Sequence, residues 1–186
     1  MRKLSVFNNV SLDGYFVDGS GDMSWAHKQD AEWNAFSAEN ARGGGALVLG
    51  RVTYEMMAGF WPTPAALALS PAVAERMNNM PKVVFSRTLE TASWKNTRLM
   101  KGDLVSEMRK LKAEPGPEMT ILGSGSIVAQ LAEAGLVDDY QLVLQPIVLG
   151  SGRTLFQGVQ RRLGLTLEKT RSFSNGNVVL WYKPAA

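Results

Sequence analysis

The chain has 186 residues, 45% of them hydrophobic and 20% charged, which suits one globular domain, residues 1–186, with a sizeable core. Its formal charge of +3 comes from scattered Lys and Arg rather than from runs, so an anionic small molecule fits better than nucleic acid. With no cysteine and a single histidine, His27, disulfides, thiolate chemistry and Cys-rich zinc sites are excluded, and no metal site is expected.

The N-terminal Met1-Arg-Lys-Leu has no apolar stretch of a signal peptide behind it, and no segment approaches the ~20 apolar residues of a membrane helix. A cytoplasmic protein with no membrane partner is the expectation.

Leu4 to Val10 reads as a strand with Leu4, Val6 and Asn8 on one face. Asn8 and Asn9 in succession require hydrogen-bond partners if they are inside. Ser11 to Phe16 is turn-capable, with Asp13 suited to bonding its own backbone, and Val17 to Asp22 reads as a hairpin or loop tip. A helix is predicted over 30–42, with Asp30 at the N-cap and Trp33, Phe36 or Ser37, and Asn40 or Ala41 on one stripe. Gly43 to Gly45 ends it.

Ala46 to Leu49 is a continuous apolar run, as in a strand buried on both faces. A helix capped by Thr53 follows from Tyr54, then a loop over 60–64, then a helix from Ser70-Pro71 to Met77. Lys82 to Phe85 is a strand, and Asp103 caps a helix from Leu104 to about Lys112 with Leu104, Met108 and Leu111 on its buried face. Met119 to Leu122 is a strand that reaches Gly123-Ser-Gly125 and a further helix. A strand over 140–148, a glycine-rich loop over 149–156 and strands over 165–173 and 178–183 complete the chain. Asn175-Gly176 marks the last two strands as a hairpin.

Three apolar strands thus end in small or basic polar residues: Gly50-Arg51-Val-Thr53, Ser86-Arg87-Thr88 and Gly123-Ser-Gly-Ser126. Helical connections follow each, so the strands read as parallel neighbours whose carboxyl ends meet at one crevice. Gly123 and Gly125 are expected at positive φ, with free amides near Ser126 and Ile127 facing a phosphate. The turn lacks the third glycine of a Rossmann fingerprint, and no acidic residue follows about 20 positions on. Ser86-Arg87 instead suits a 2′-phosphate, which favours NADP over NAD. A lone surface salt bridge is the plain alternative for either arginine.

These motifs together resemble the dihydrofolate reductase-like superfamily, in particular the reductase (RibD C-terminal) domain of the bacterial riboflavin-biosynthesis bifunctional protein. The resemblance rests on Ser11-Leu-Asp-Gly14, Leu49-Gly-Arg-Val-Thr-Tyr-Glu55, Val84-Phe-Ser-Arg-Thr88, Gly123-Ser-Gly-Ser126 and Pro146 to Phe156. It implies an α/β fold with a mixed, mostly parallel sheet of about eight strands flanked by helices, and NADPH as hydride donor. Gly50, Arg51 and Thr53 would then hold cofactor phosphate, Ser86 and Arg87 the 2′-phosphate, and Gly123, Ser124, Gly125, Ser126 and Ile127 the pyrophosphate. Asn9 and Trp25 match positions bordering the nicotinamide, while Asp13 and Ser24 match the substrate side.

Trp25 and Asp30 share the tryptophan-then-carboxylate spacing of dihydrofolate reductases, which makes Asp30 a candidate acid as well as a candidate cap. Tyr15 stands where riboflavin-pathway reductases usually carry a basic residue. The expected function is NADPH-dependent reduction of a small heterocycle, resembling 5-amino-6-(5-phosphoribosylamino)uracil reductase or dihydrofolate reductase. The alternative is an NADP-binding or sensing module without turnover. A homodimer is expected from the resemblance and the long strand from Tyr140.

Overall fold

The computed structural model describes residues 1–27, 30–42 and 45–185. The first half contains β1 (Leu4–Ser11), β2 (Tyr15–Val17), α1 (Ala31–Arg42), β3 (Ala46–Gly50), α2 (Arg51–Phe60), α3 (Pro64–Leu69), α4 (Pro71–Asn79) and β4 (Lys82–Phe85). The second contains β5 (Thr97–Met100), α5 (Leu104–Ala113), β6 (Met119–Leu122), α6 (Gly125–Glu133), β7 (Asp139–Gln145), β8 (Arg153–Thr154), β9 (Leu165–Ser172) and β10 (Val178–Pro184). Eight strands form one sheet in the order β5-β4-β3-β6-β1-β7-β10-β9. The first six run parallel, and β10 is antiparallel to both β7 and β9. This is the mixed, mostly parallel sheet with a C-terminal hairpin that the sequence predicts. Among the described residues no helix is long and apolar enough to cross a membrane.

The alternation of side chains along each strand splits the core into two layers. Leu4 and Val6 of β1, Val48 of β3 and Ile121 of β6 face Met108 and Leu111 of α5 and Ile127, Val128 and Leu131 of α6. On the other face Leu47, Leu49 and Val84 pack against Tyr54 of α2 and Met77 of α4. Further along that face Trp33 and Phe36 of α1 pack on Val143, Phe173 and Val179. Burying each of these two aromatics is worth roughly 1.5–3 kcal/mol, which explains why a helix of mixed polarity docks there. β3 is apolar throughout because both of its faces are covered.

Lys82 of β4 is 1% exposed. Its ammonium donates to the carbonyls of Asn78, Met80 and Lys95 and lies 4.3 Å from the Trp94 ring centroid. It thereby closes the C-terminal end of α4 with a charge of the favoured sign. Burial pushes it down to about 8.

Several expectations change. The helix after β3 starts at Arg51 with Gly50 as its N-cap, so Thr53 lies inside α2 rather than capping it. The loop expected over 60–64 leads directly into α3, where Thr63 Oγ1 accepts the Ala66 amide at 3.3 Å and Pro64 takes the first helical position. Ser70 is the N-cap of α4 but makes no side-chain cap bond. β7 stops at Gln145, because Pro146 has no N–H for a ladder and the Ile147 amide turns back to the Gln145 carbonyl at 2.8 Å. Short strands β2, β5 and β8 were not anticipated; β2 and β8 pair outside the main sheet. The Asp103 cap on Ser106 N is present at 2.9 Å, and Gly176 takes φ 87° in the hairpin turn. Gly43 and Gly44 of the predicted helix stop lie outside the described residues.

Candidate functional site

The strand order sets β4, β3, β6 and β1 side by side, so their carboxyl ends form a continuous edge. A cavity of about 690 Å³ opens along it. Of the residues predicted to hold a cofactor, the wall contains Asn9, Gly50, Arg51, Thr53, Ser86, Arg87, Gly123, Ser124, Gly125, Ser126 and Ile127. Residues distant in sequence meet there because the parallel strands all deliver their ends to the same edge.

Two helix starts are joined in the cavity floor. Ser124 Oγ accepts the Gly50 amide at 2.8 Å and lies 3.1 Å from both Thr53 Oγ1 and the Leu122 carbonyl. Gly123 takes φ 56°, and a Cβ there would stand 3.1 Å from Thr53 Oγ1. Ser124, not Gly125, is the second left-handed residue, at φ 57°. That conformation costs a non-glycine residue about 1–2 kcal/mol, offset here by the hydroxyl's bonds. Gly125 is needed for space: a Cβ would stand 2.5 Å from Phe16 Cε1. The sequence prediction of positive φ at Gly125 is therefore corrected. The Ile127 amide, expected to be free, donates to the Ser124 carbonyl at 2.8 Å. Among the described residues the Gly125 and Ser126 amides have no such bond, so they are the donors left at the α6 start.

Beyond β4, Ser86 Oγ accepts the Leu89 and Thr88 amides at 2.9 and 3.2 Å. This turn fixes the backbone that carries Arg87, and the Ser86 hydroxyl lies 3.4 Å from Thr88 Oγ1. Asp103, capping α5, also lines the cavity. Its carboxyl is held below the usual range by donation from Ser106 and, more weakly, by the charges of Arg87 and Arg109. Arg87 has no ion pair among the described residues, whereas Arg51 is paired to Glu55 at 2.8 Å.

A third arginine was missed. Arg153 of β8 lines the cavity with its guanidinium 5.4 Å from the centroid of Phe16, the ring that abuts Gly125. The pairing of β8 with β2 brings it there. The signal available was a basic residue closing the Gly150-Ser-Gly152 loop. His27 also lines the cavity.

Four predicted site residues are not in the described wall. Both Asp13 oxygens are engaged, by Ser11 Oγ at 2.6 Å, Leu149 N at 3.1 Å and Gly150 N at 2.8 Å. The Ser24 hydroxyl donates to Asp22, and Trp25 Nε1 donates to the Asp22 carbonyl at 3.1 Å. Asp30 caps α1 by accepting Trp33 N at 2.8 Å, and its other oxygen accepts Asn175 Nδ2. The two asparagines of β1 are both bonded, as their placement requires. Asn8 Nδ2 donates to the Gly123 carbonyl at 3.0 Å, and Asn9 Oδ1 accepts Gln145 Nε2 at 2.9 Å.

A mixed sheet with this order and a cavity on its parallel edge is a dihydrofolate reductase-like fold. A dihydrofolate reductase from Enterococcus faecalis complexed with NADP(H) superposes with a TM-score of 0.65 at 15% identity, covering 99% of this chain and 97% of that one. The chain belongs to the RibD C-terminal domain family, whose sequence model matches residues 2–179. It is similar to the Bacillus subtilis protein YyaP, with 27% identity over 182 residues, 97% of this chain and 94% of the relative. The crystal structure of a protein from Shewanella sp. PV-4 described as a putative riboflavin biosynthesis protein has a TM-score of 0.75 at 24% identity, with 99% of each chain covered. The chain thus has the reductase-type fold of its family.

Proposed function

We propose that this protein is an NADPH-dependent reductase that passes hydride to a small heterocyclic substrate. The observation that carries this reading is a line of three anion-binding groups and one neutral amide along one sheet edge. Arg87 stands at β4, the α2 start at β3, the free amides of α6 at β6, and Asn9 at β1. Three strand spacings of about 4.8 Å separate the ends, roughly 14 Å in all, a span suited to a dinucleotide.

The donor set fits that cofactor. An arginine with no ion pair among the described residues, beside a serine-stabilised turn, suits a 2′-phosphate. Two free helix-start amides with Arg153 nearby suit a pyrophosphate. Asn9 offers an amide to an uncharged ring at the far end. Bound NADPH would supply the hydride. The protein's own part is to hold the phosphates, orient the ring end against Asn9 and keep Phe16 packed beneath the α6 start.

Turnover tests this reading. Nicotinamide absorbance followed with dihydrofolate, 5-amino-6-(5-phosphoribosylamino)uracil and simpler heterocycles should fall with at least one of them. Tight NADPH binding without any oxidation would contradict the reductase and favour a sensing module.

A further inference from the structure

Gln145 ends β7, one strand beyond the cavity, and is fully buried. Its Nε2 donates to Oδ1 of Asn9, which is half-buried in the cavity wall. Val178 pairs with Leu144, so Asn177 comes opposite Gln145. Gln145 Oε1 and both amide atoms of Asn177 are buried without a protein partner among the described residues. Unpaired buried amides are costly, and an apolar side chain would pack here without that cost. Two amides, Gln145 and Asn177, placed in a row behind one cavity-facing amide point to a directional task.

We propose that Gln145 is a positioning residue that decides which end of the Asn9 amide faces the cavity. Because Gln145 holds Oδ1, Asn9 presents its Nδ2 hydrogens. The cavity therefore recognises a carbonyl oxygen at this point and disfavours an N–H or amino group, which would meet donor with donor. Two carbonyls have this chemistry: the carboxamide of a nicotinamide ring and the lactam of a heterocyclic substrate. Only the first source rests on the NADPH reading.

In its ionised form Gln145→Glu replaces the donor with an acceptor, so at a pH above that of the buried carboxyl's titration the Asn9 amide turns over and offers Oδ1 to the cavity. Gln145→Met removes the hold without adding charge and guards against a variant that does not fold. The direct readout needs no ligand. In nitrogen-15 spectra of the wild type, the Asn9 side-chain protons should exchange with solvent while those of Gln145 are protected. In Gln145→Glu the Asn9 protons should become protected, and in Gln145→Met their signals should shift and broaden. Asn9 signals that stay unchanged in both variants would overturn the proposal.

Ligand titrations then separate the sources. If the carboxamide is recognised, Gln145→Glu raises the Kd of NADPH tenfold or more and leaves 2′-phospho-ADP-ribose within twofold. If the lactam is recognised, both of those hold steady while dihydrofolate binding to the NADPH complex weakens tenfold. Moved Asn9 signals with no change in any of these affinities would overturn carbonyl recognition. Moved signals in a protein that binds neither dinucleotide would support the positioning role and count against the NADPH reading instead.

Discussion

The Gly50 amide donates to Ser124 Oγ at 2.8 Å, tying the start of α2 to the start of α6 across two neighbouring strands. The same hydroxyl lies against Thr53, so one side chain sets the relative position of two candidate phosphate-binding ends. Ser124→Ala leaves the Gly50 amide without its acceptor and keeps the left-handed backbone at 124 strained. A loss of about 1–3 kcal/mol is expected, or roughly 2–4 °C in Tm for each kcal/mol. NADPH affinity should fall with it. A Tm within a degree of wild type in a thermal melt would show that the hydroxyl does not tie these ends.

Phe16 and Gly125 make a second such contact, with the ring against the first residue of α6. Gly125→Ala should cost about 1–3 kcal/mol by overpacking. The double variant Gly125→Ala with Phe16→Leu should recover part of that loss, since leucine does not fill the same space. No recovery in the double-variant cycle would mean that the strain lies in the backbone and not at the ring.

Asp13 gives a pH dependence of defined sign. Donation from Ser11 first, and from the Gly150 and Leu149 amides, lowers its pKa to about 2 from 3.8. A carboxyl held lower in the folded state contributes stability above its unfolded pKa and loses it as pH falls through the folded value. The first turn and the Leu149–Gly150 loop should therefore separate between about pH 4 and pH 2. Melts of wild type and Asp13→Asn should converge at the acid end of that window and differ at pH 6. Parallel curves throughout would contradict the latch.

Asp30 has its two oxygens on the α1 amide and on Asn175. Asparagine is about as good an N-cap as aspartate, but its Nδ2 would meet the Asn175 Nδ2 donor, so Asp30→Asn should cost about 1–2 kcal/mol. With the carboxylate committed to the cap, turnover is expected to stay within threefold. A hundredfold loss in kcat with the fold intact would instead make Asp30 the proton donor.

The sheet and its cavity edge were readable where the physics is local. β3, β4 and β6 are short, largely apolar runs that stop at glycine or serine, and in β3 and β4 burial on both faces leaves that pattern in sequence. The glycine turn was located correctly and Gly123 takes the expected left-handed conformation, but the second left-handed residue is Ser124 rather than Gly125. What requires glycine at 125 is a phenylalanine from the far end of the chain, which no local rule can supply. Arg153 and Gln145 were unassigned for the same reason, because β8 finds its place on β2 and Gln145 finds Asn9 only once the strands pair. The missed helix α3 and strands β2, β5 and β8 are too short for a period to emerge.

The central claim is most directly tested by titrating wild type and Arg87→Ala with NADPH and with NADH. The account predicts that wild type prefers NADPH by at least tenfold, and that Arg87→Ala removes most of the preference by weakening NADPH while leaving NADH within about twofold; tenfold corresponds to about 1.4 kcal/mol. Equal affinity of wild type for the two cofactors, or an equal loss of both in the variant, would contradict it.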